Sequence, residues 1–253
     1  MSGPSSRVQG ILVRLHPVGD ADLIVSLLSP SAGLVDAYAR AARKSSRRFG
    51  GRLELFVEGV ATLNHGRGSL PQLSGFEASA ALIDGVLDYP RLALASHAAE
   101  LALAGSQPEH ADPAMVHWLR ATLLAIAAAG EVEVGPVRFG IELGWLVTLG
   151  VAPPFGSCAA CGGNLADGAS WTRPHDGLRC RACSPFDAVQ IEGVDLGALA
   201  GLAATPEAAL RPLRHRLAPP TVRLVRSRIA GLLHEQLGRR TRSAAALDAL
   251  VGA

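Results

Sequence analysis

Leu53-Glu54-Leu55-Phe56-Val57-Glu58-Gly59-Val60-Ala61-Thr62-Leu63 alternates apolar with polar residues. Leu53, Leu55, Val57, Ala61 and Leu63 fall on one face, with Glu54, Glu58 and Thr62 on the other, which is the two-residue period of a half-buried strand. Shorter apolar runs lie before it. Val8 to Leu15 ends at His16-Pro17-Val18-Gly19-Asp20; Leu23 to Leu28 closes at Ser29-Pro30-Ser31-Ala32-Gly33, and Leu34 to Ala39 resumes. After it, Asn64-His65-Gly66-Arg67-Gly68 turns the chain into Leu70 to Phe76. Five strands in roughly eighty residues predict a small antiparallel barrel, with the OB-fold leading and an SH3-like barrel fitting the same pattern.

From Ala80 the character changes to Ala/Leu-rich helix. Pro90 opens one helix, on which Leu92, Leu94, Ala98, Leu101 and Ala102 share a buried face. Asp112-Pro113 starts a second, a capping residue followed by proline, running to about Ala129. Gly135-Pro136 starts a third, ending at Leu149-Gly150. Thr221 to Leu237 is helical, and Ser243 caps a short final helix through Leu250. The expected fold class is α+β: a five-stranded OB barrel over residues 1–79, then an α-helical domain over 80–253.

All four cysteines of the chain fall in two C-x-x-C pairs, Cys158-Ala-Ala-Cys161 and Cys180-Arg-Ala-Cys183. Each pair sets two sulfurs on one tight turn, and a hairpin tipped at Asp176-Gly177 can bring the pairs together. Four thiolates at the corners of a tetrahedron suit a structural Zn²⁺ site with no open position. Two disulfides would require an oxidising compartment, for which nothing else speaks. A single redox-active pair would need a βαβ context that is absent from the pattern. The result is a zinc knuckle inserted between helices at about residues 155–186.

The net charge of +2 conceals segregation. Residues 1–80 carry nine Lys/Arg against six Asp/Glu, residues 81–200 six against thirteen, and residues 201–253 nine against three. Basic ends around an acidic middle point to an anionic polymer as partner. The densest basic run is Arg40, Arg43, Lys44, Arg47, Arg48 and Arg52, with no acid among them, in a loop between barrel strands. Loops of this kind frame the binding face of OB-folds, and phosphates attract arginine by charge and paired hydrogen bonds. The other reading of the run is a solvated loop. Tyr38 and Phe49 can either stack on bases or sit in the core. Arg223, Arg226, Arg239, Arg240 and Arg242 can extend a DNA surface, pair with the acidic middle, or receive an acidic peptide.

Enzyme signatures are missing. Lys44 is the single lysine and no phosphate loop surrounds it; no His-x-Glu precedes a cysteine pair, and no G-x-S-x-G elbow occurs. The Met-Ser-Gly-Pro-Ser-Ser start is not a signal peptide, and no apolar run is long enough to span a bilayer. A cytoplasmic, nucleoid-associated protein without membrane contact is expected.

Taken in order, these residues resemble the RecO family of recombination mediators. The likeness runs through Val18-Gly19-Asp20-Ala21-Asp22-Leu23-Ile24-Val25, Leu27-Leu28-Ser29, Gly33-Leu34-Val35 and Ala39-Arg40-Ala41-Ala42-Arg43-Lys44-Ser45, and reaches Gly66-Arg67-Gly68-Ser69-Leu70. It resumes at Ile141-Glu142-Leu143, Trp145-Leu146 and Leu149-Gly150-Val151-Ala152-Pro153, which lead into the cysteine pairs. It ends at Leu237-Gly238-Arg239-Arg240 with Arg242-Ser243. Asp20 stands where the family usually has Glu, Ser29 where it has Thr, and Ala41 where it often has Gly. The resemblance implies an OB domain, a helical domain and a variable zinc knuckle. It also implies binding of single- and double-stranded DNA, annealing of complementary strands, and association with RecR and with the acidic C-terminal tail of SSB. With RecR, and often RecF, such proteins help load RecA onto coated strands. Arg138 is a further candidate contact, and no catalytic residue is implied. Two alternatives stand beside this reading: an adaptor acting mainly through protein partners, and an RNA-binding zinc protein.

Overall fold

The first strand, β1 (Ser5–Val18), is long enough to pair along both edges, and that closes the barrel. Its first half, Ser5 to Ile11, runs antiparallel to β4 (Val57–Asn64); its second half, Ile11 to Val18, runs antiparallel to β2 (Asp22–Ser29). β3 (Gly33–Ala39) forms a hairpin with β2, and β5 (Gln72–Ala81) forms one with β4. A short parallel contact at Tyr38 and Gln72, with the Tyr38 N–H donating to the Pro71 carbonyl at 2.9 Å, joins β3 to β5. The strand order β1-β2-β3-β5-β4 is closed, and it is the OB topology. This computed structural model describes residues 4–44, 49, 53–66, 68–83, 88–130, 132–185, 188–211 and 217–251.

A strand that serves two neighbours must bend, and glycine permits the bend. Gly10 is paired with Gly59 across β1 and β4. A Cβ at Gly10 would lie 2.4 Å from the Leu28 carbonyl oxygen, and one at Gly59 would lie 2.5 Å from that of Glu77. The backbones approach closely here because neither residue has a side chain. Inside, Leu12, Val25, Leu27, Leu63, Leu73 and Phe76 are among the residues that fill the barrel.

The opening stretch of the alternating segment departs from expectation. Phe56 has a left-handed backbone (φ 66°), its N–H donates to the Leu12 carbonyl at 2.8 Å, and its own carbonyl receives the Leu82 N–H at 3.0 Å. That turn shifts the parity of everything before it. Leu53 and Phe56 are buried while Leu55 is 36% exposed, so β4 starts at Val57 rather than at Leu53.

The chain divides into two compact units, Met1–Val132 and Glu133–Ala253. The first unit joins the barrel to α1 (Tyr89–Gly105) and α2 (Pro113–Ala128). Asp88 and Asp112 cap these helices by accepting the N–H groups of Arg91 and Met115, each at 2.9 Å. The Arg91 guanidinium binds Asp88 and reaches the carbonyls of Ala129 and Gly130, which sets the start of α1 beside the end of α2. Leu92 is exposed, contrary to the expected buried face. Gly33 (φ 65°) carries the β2–β3 turn against the α1–α2 loop, where a Cβ would lie 2.2 Å from the His110 carbonyl oxygen. Arg120 on α2 reaches Glu58 on β4 at 3.1 Å.

The second unit is built on α3 (Val134–Thr148), the cysteine hairpin, and α6 (Pro219–Leu237) with α7 (Arg242–Val251). Two further helices, α4 (Gly193–Leu202) and α5 (Pro206–Ala209), follow the hairpin. α5 packs so tightly on α3 that a Cβ at Gly140 would lie 2.4 Å from the Ala209 carbonyl oxygen. Ser243 lies inside α7 rather than at its cap. No helix among the described residues is long and apolar enough to cross a membrane.

Gly10→Ala forces a Cβ onto main-chain atoms that cannot rotate away, so a loss of about 1–3 kcal/mol is expected. Thermal unfolding of the variant checks this, with Gly66→Ala, where a Cβ meets nothing within 4 Å, as the matched control.

Candidate nucleic-acid interface and metal centre

The basic run begins where β3 ends, and its root is fixed by four hydrogen bonds to the β1–β2 turn and to Asp22, the first residue of β2. The Asp22 carboxylate accepts the Ala41 N–H at 2.7 Å and the Tyr38 hydroxyl proton. The Arg43 N–H donates to the Ala21 carbonyl at 2.9 Å. The Arg43 guanidinium leans on the Gly19 carbonyl at 3.4 Å. Ala41 itself is left-handed (φ 55°), and its carbonyl accepts the Lys44 N–H at 3.2 Å. Such a backbone suits glycine, which explains why Ala41 is notable as a departure from the family pattern. Arg40, Arg43 and Lys44 are all exposed on this turn. Arg47, Arg48 and Arg52 lie outside the described residues.

Asp22 is held below the usual carboxylate range, first by the Ala41 N–H and then by the Tyr38 hydroxyl, with Arg40 and Lys44 adding positive field. The same bond raises the Tyr38 phenol, which stays protonated. Tyr38 is half-buried with its hydroxyl committed, and Phe49 is 3% exposed within the barrel core. The core alternative therefore describes Phe49, and Tyr38 acts as a hydrogen-bond donor at the loop root. Neither role for Asp22 or Tyr38 was assigned from sequence; the one available signal was a non-glycine residue at Ala41.

The remaining candidate arginines are dispersed. Arg138 is 9% exposed, its guanidinium bound to Glu142 at 2.7 Å and to Asp248 at 2.5 Å. It ties α7 to α3, and at this burial its Nε and Nη1 donors serve the fold rather than an outward contact. Arg240 pairs with the same Asp248. Arg223 and the half-buried Arg226 lie on α6, Arg239 and Arg240 in the link after it, and Arg242 at the start of α7; all but Arg226 are exposed.

The four cysteines do come together. All are free thiols, and their sulfurs lie within 4.8 Å of one another, with Cys161 and Cys180 at 3.9 Å. A tetrahedral metal–thiolate site with bonds of about 2.3 Å has edges of about 3.8 Å, so the set fits a single metal ion. Local turns make the geometry. The Cys158 N–H donates to the Gly163 carbonyl, the Gly162 N–H to Cys158, and the Cys183 N–H to Cys180. Gly162 and Gly177 both take positive φ. β6 (Ala169–Ser170) pairs with β7 (Arg179–Cys180) on one side and β8 (Gln190–Ile191) on the other. The Cys158 thiol is lowered to about 6, chiefly by the N–H of Cys180 and then that of Cys161. The Cys183 thiol is pushed up to about 12 by hydrogen bonds to Cys180 and Cys161. A metal ion would displace the protons that these thiols share.

Beneath the cysteines, Trp171 is buried edge-on against Phe155, with ring centroids 6.1 Å apart. Its indole N–H donates to Pro174, and its carbonyl accepts the Arg228 guanidinium from α6 at 2.9 Å. Gly231 of α6 admits Pro174, which a Cβ would meet at 2.4 Å.

Comparison with known proteins agrees with this architecture. A family described as Recombination protein O N terminal matches residues 1–81, and one described as Recombination protein O C terminal matches residues 86–245. A DNA repair protein RecO from an Anaeromyxobacter species is 34% identical over 255 residues, covering 96% of this chain and 95% of its own. The protein of that name from Myxococcus xanthus is 33% identical over 230 residues, covering 89% of each chain. Both parts of the chain thus match, in order, one family whose members are named DNA repair proteins. The chain belongs to the RecO family.

Ala41→Gly should raise stability by about 1 kcal/mol, because glycine adopts the left-handed turn without the Cβ clash; denaturant unfolding reads the gain. The cysteine cluster should take up one divalent ion per chain, with protons released into unbuffered solution. Affinity should fall as pH falls, since protons compete for the thiolates. A Cys158→Ser/Cys180→Ser variant should lose the ion and melt earlier, as native mass spectrometry and calorimetry would record.

Proposed function

We propose that this protein is a non-enzymatic mediator of recombinational DNA repair. In this reading it binds single- and double-stranded DNA, anneals complementary strands and, with RecR and often RecF, helps load RecA onto strands coated by SSB. The observation that carries the reading is the exposed Arg40, Arg43 and Lys44 turn rooted on the rim of an OB barrel, within a chain that matches the RecO family over nearly its whole length. Phosphates would meet guanidinium groups at a loop edge where OB-folds take nucleic acid. Arg47, Arg48 and Arg52 would extend the same strip. Functionally, residues 1–79 would handle the strand, and residues 80–253 would meet RecR and the acidic SSB tail. Arg223, Arg226, Arg239, Arg240 and Arg242 offer cations for DNA or for such a tail.

The metal is proposed to be zinc: four cysteine ligands leave no open position, and thiolate donors in a tetrahedron suit that ion. Zinc would hold the hairpin, and through Trp171 and Pro174 the face of α6, rather than act on a substrate. A nucleoid-associated place in the cytoplasm follows from the proposed partners.

Annealing of complementary oligonucleotides pre-coated with the cognate SSB tests the whole reading. Acceleration on coated strands requires both DNA handling and SSB engagement. Acceleration on naked strands alone would remove the SSB partner, and tight RecR binding with negligible DNA affinity would favour an adaptor. Preference for RNA over DNA of equal sequence would favour the RNA-binding alternative. Replacing Arg43, Lys44, Arg47 and Arg48 with alanine should weaken single-strand binding at least tenfold. The dependence of log affinity on log salt should flatten by about 0.7 for each lost phosphate contact.

A further inference from the structure

We infer that Asp22 is a positioning residue for DNA binding: its carboxylate, oriented by the Tyr38 hydroxyl, holds the left-handed turn at Ala41 that presents Arg40, Arg43 and Lys44 together. The inference rests on the proposed DNA contact of that turn. Asp22 is a surprising residue at the root of a basic strip, because a carboxylate there subtracts from the field that attracts phosphate. Its hydrogen bonds account for its presence.

The left-handed φ of 55° is disfavoured for a residue with a Cβ, so something must hold Ala41 there. The 2.7 Å bond from the Ala41 N–H to Asp22 does so, and it is a charge-assisted bond, the stronger kind. The Tyr38 hydroxyl donates to the other carboxylate oxygen and fixes its rotation. The Tyr38 main chain is in turn anchored, since its N–H joins β3 to β5 at the Pro71 carbonyl. The chain is thus pinned at the residue between Arg40 and Arg43, and the Arg43 N–H to Ala21 bond pins the far side. A strip so held meets a phosphate backbone without first losing conformational freedom, which improves affinity through preorganisation.

The test is a double-mutant cycle on single-stranded DNA affinity and its salt dependence. Asp22→Ala should weaken binding roughly five- to tenfold and flatten the salt slope. In an Arg43→Ala/Lys44→Ala background the same change should have little further effect, because the residues it positions are gone. Asp22→Asn should recover most of the loss, since its amide can accept from Ala41 and donate to the Tyr38 oxygen. Hydrogen exchange at the Ala41 amide, measured without DNA, should be slow in the parent and in Asp22→Asn and fast in Asp22→Ala. Equal losses from Asp22→Ala in both backgrounds, or wild-type affinity despite a fast Ala41 amide, would overturn the inference. If Arg43→Ala/Lys44→Ala alone leaves affinity and slope unchanged, the DNA reading of the strip fails, while the amide exchange still reports whether Asp22 holds the turn. Should Asp22→Ala not fold, Tyr38→Phe decides: a two- to threefold loss with a faster Ala41 amide supports the clamp, and no change in either sinks it.

Discussion

Closure of the barrel depends on one strand being shared. β1 gives its first half to β4 and its second to β2, so no edge is left open between them, and an open edge would invite pairing with other chains. Gly10 and Gly59, paired across β1 and β4, let the main chain approach Leu28 of β2 and Glu77 of β5 more closely than a side chain would permit. Everything that fixes the basic rim hangs from that closure. The β1–β2 turn supplies the carbonyls of Gly19 and Ala21, β2 starts with Asp22, and the β3–β5 contact anchors the Tyr38 main chain. The basic turn is therefore an extension of the barrel's hydrogen bonding.

The second unit is organised around a different constraint. The sheet of β6, β7 and β8 has strands of two residues, so its ladder alone contributes little stability. A metal ion held by the four sulfurs would add to the small core of Phe155, Leu165, Trp171, Leu178 and Ile191, and Trp171 and Pro174 join this region to α6 through Arg228 and Gly231. On the opposite end of α3, Arg138 performs the equivalent task for α7, binding Glu142 on its own helix and Asp248 on the other.

Much of this was legible in the sequence because the signals were local. Strand period, the Asp-Pro start of α2 and the cysteine spacing each reflect chemistry within a few residues, and each reappears in the structure. What escaped depended on distant partners. Phe56 breaks the alternation because its main chain bonds to Leu12 and Leu82, which no window of sequence brings near it. Arg138 reads as a surface cation until Asp248, over a hundred residues later, is known to meet it. α5 had a readable start at Thr205-Pro206, where the Thr205 hydroxyl accepts the Ala208 N–H at 3.1 Å, but four residues carry no period. Asp22 went unassigned because an acid beside a basic run looks like charge balance rather than a main-chain clamp.

The chain's single lysine also has a practical consequence. Lys44 is exposed, and it sits on the turn whose backbone is pinned to Ala41 and Ala21. Every arginine is a guanidinium, which does not acylate under mild conditions, and no second lysine occurs. The only ε-amino group therefore lies inside the proposed contact strip. Apart from the α-amine of the chain, an amine-directed fluorophore has Lys44 as its one target, and protection of that amine by bound nucleic acid could be followed by peptide mapping.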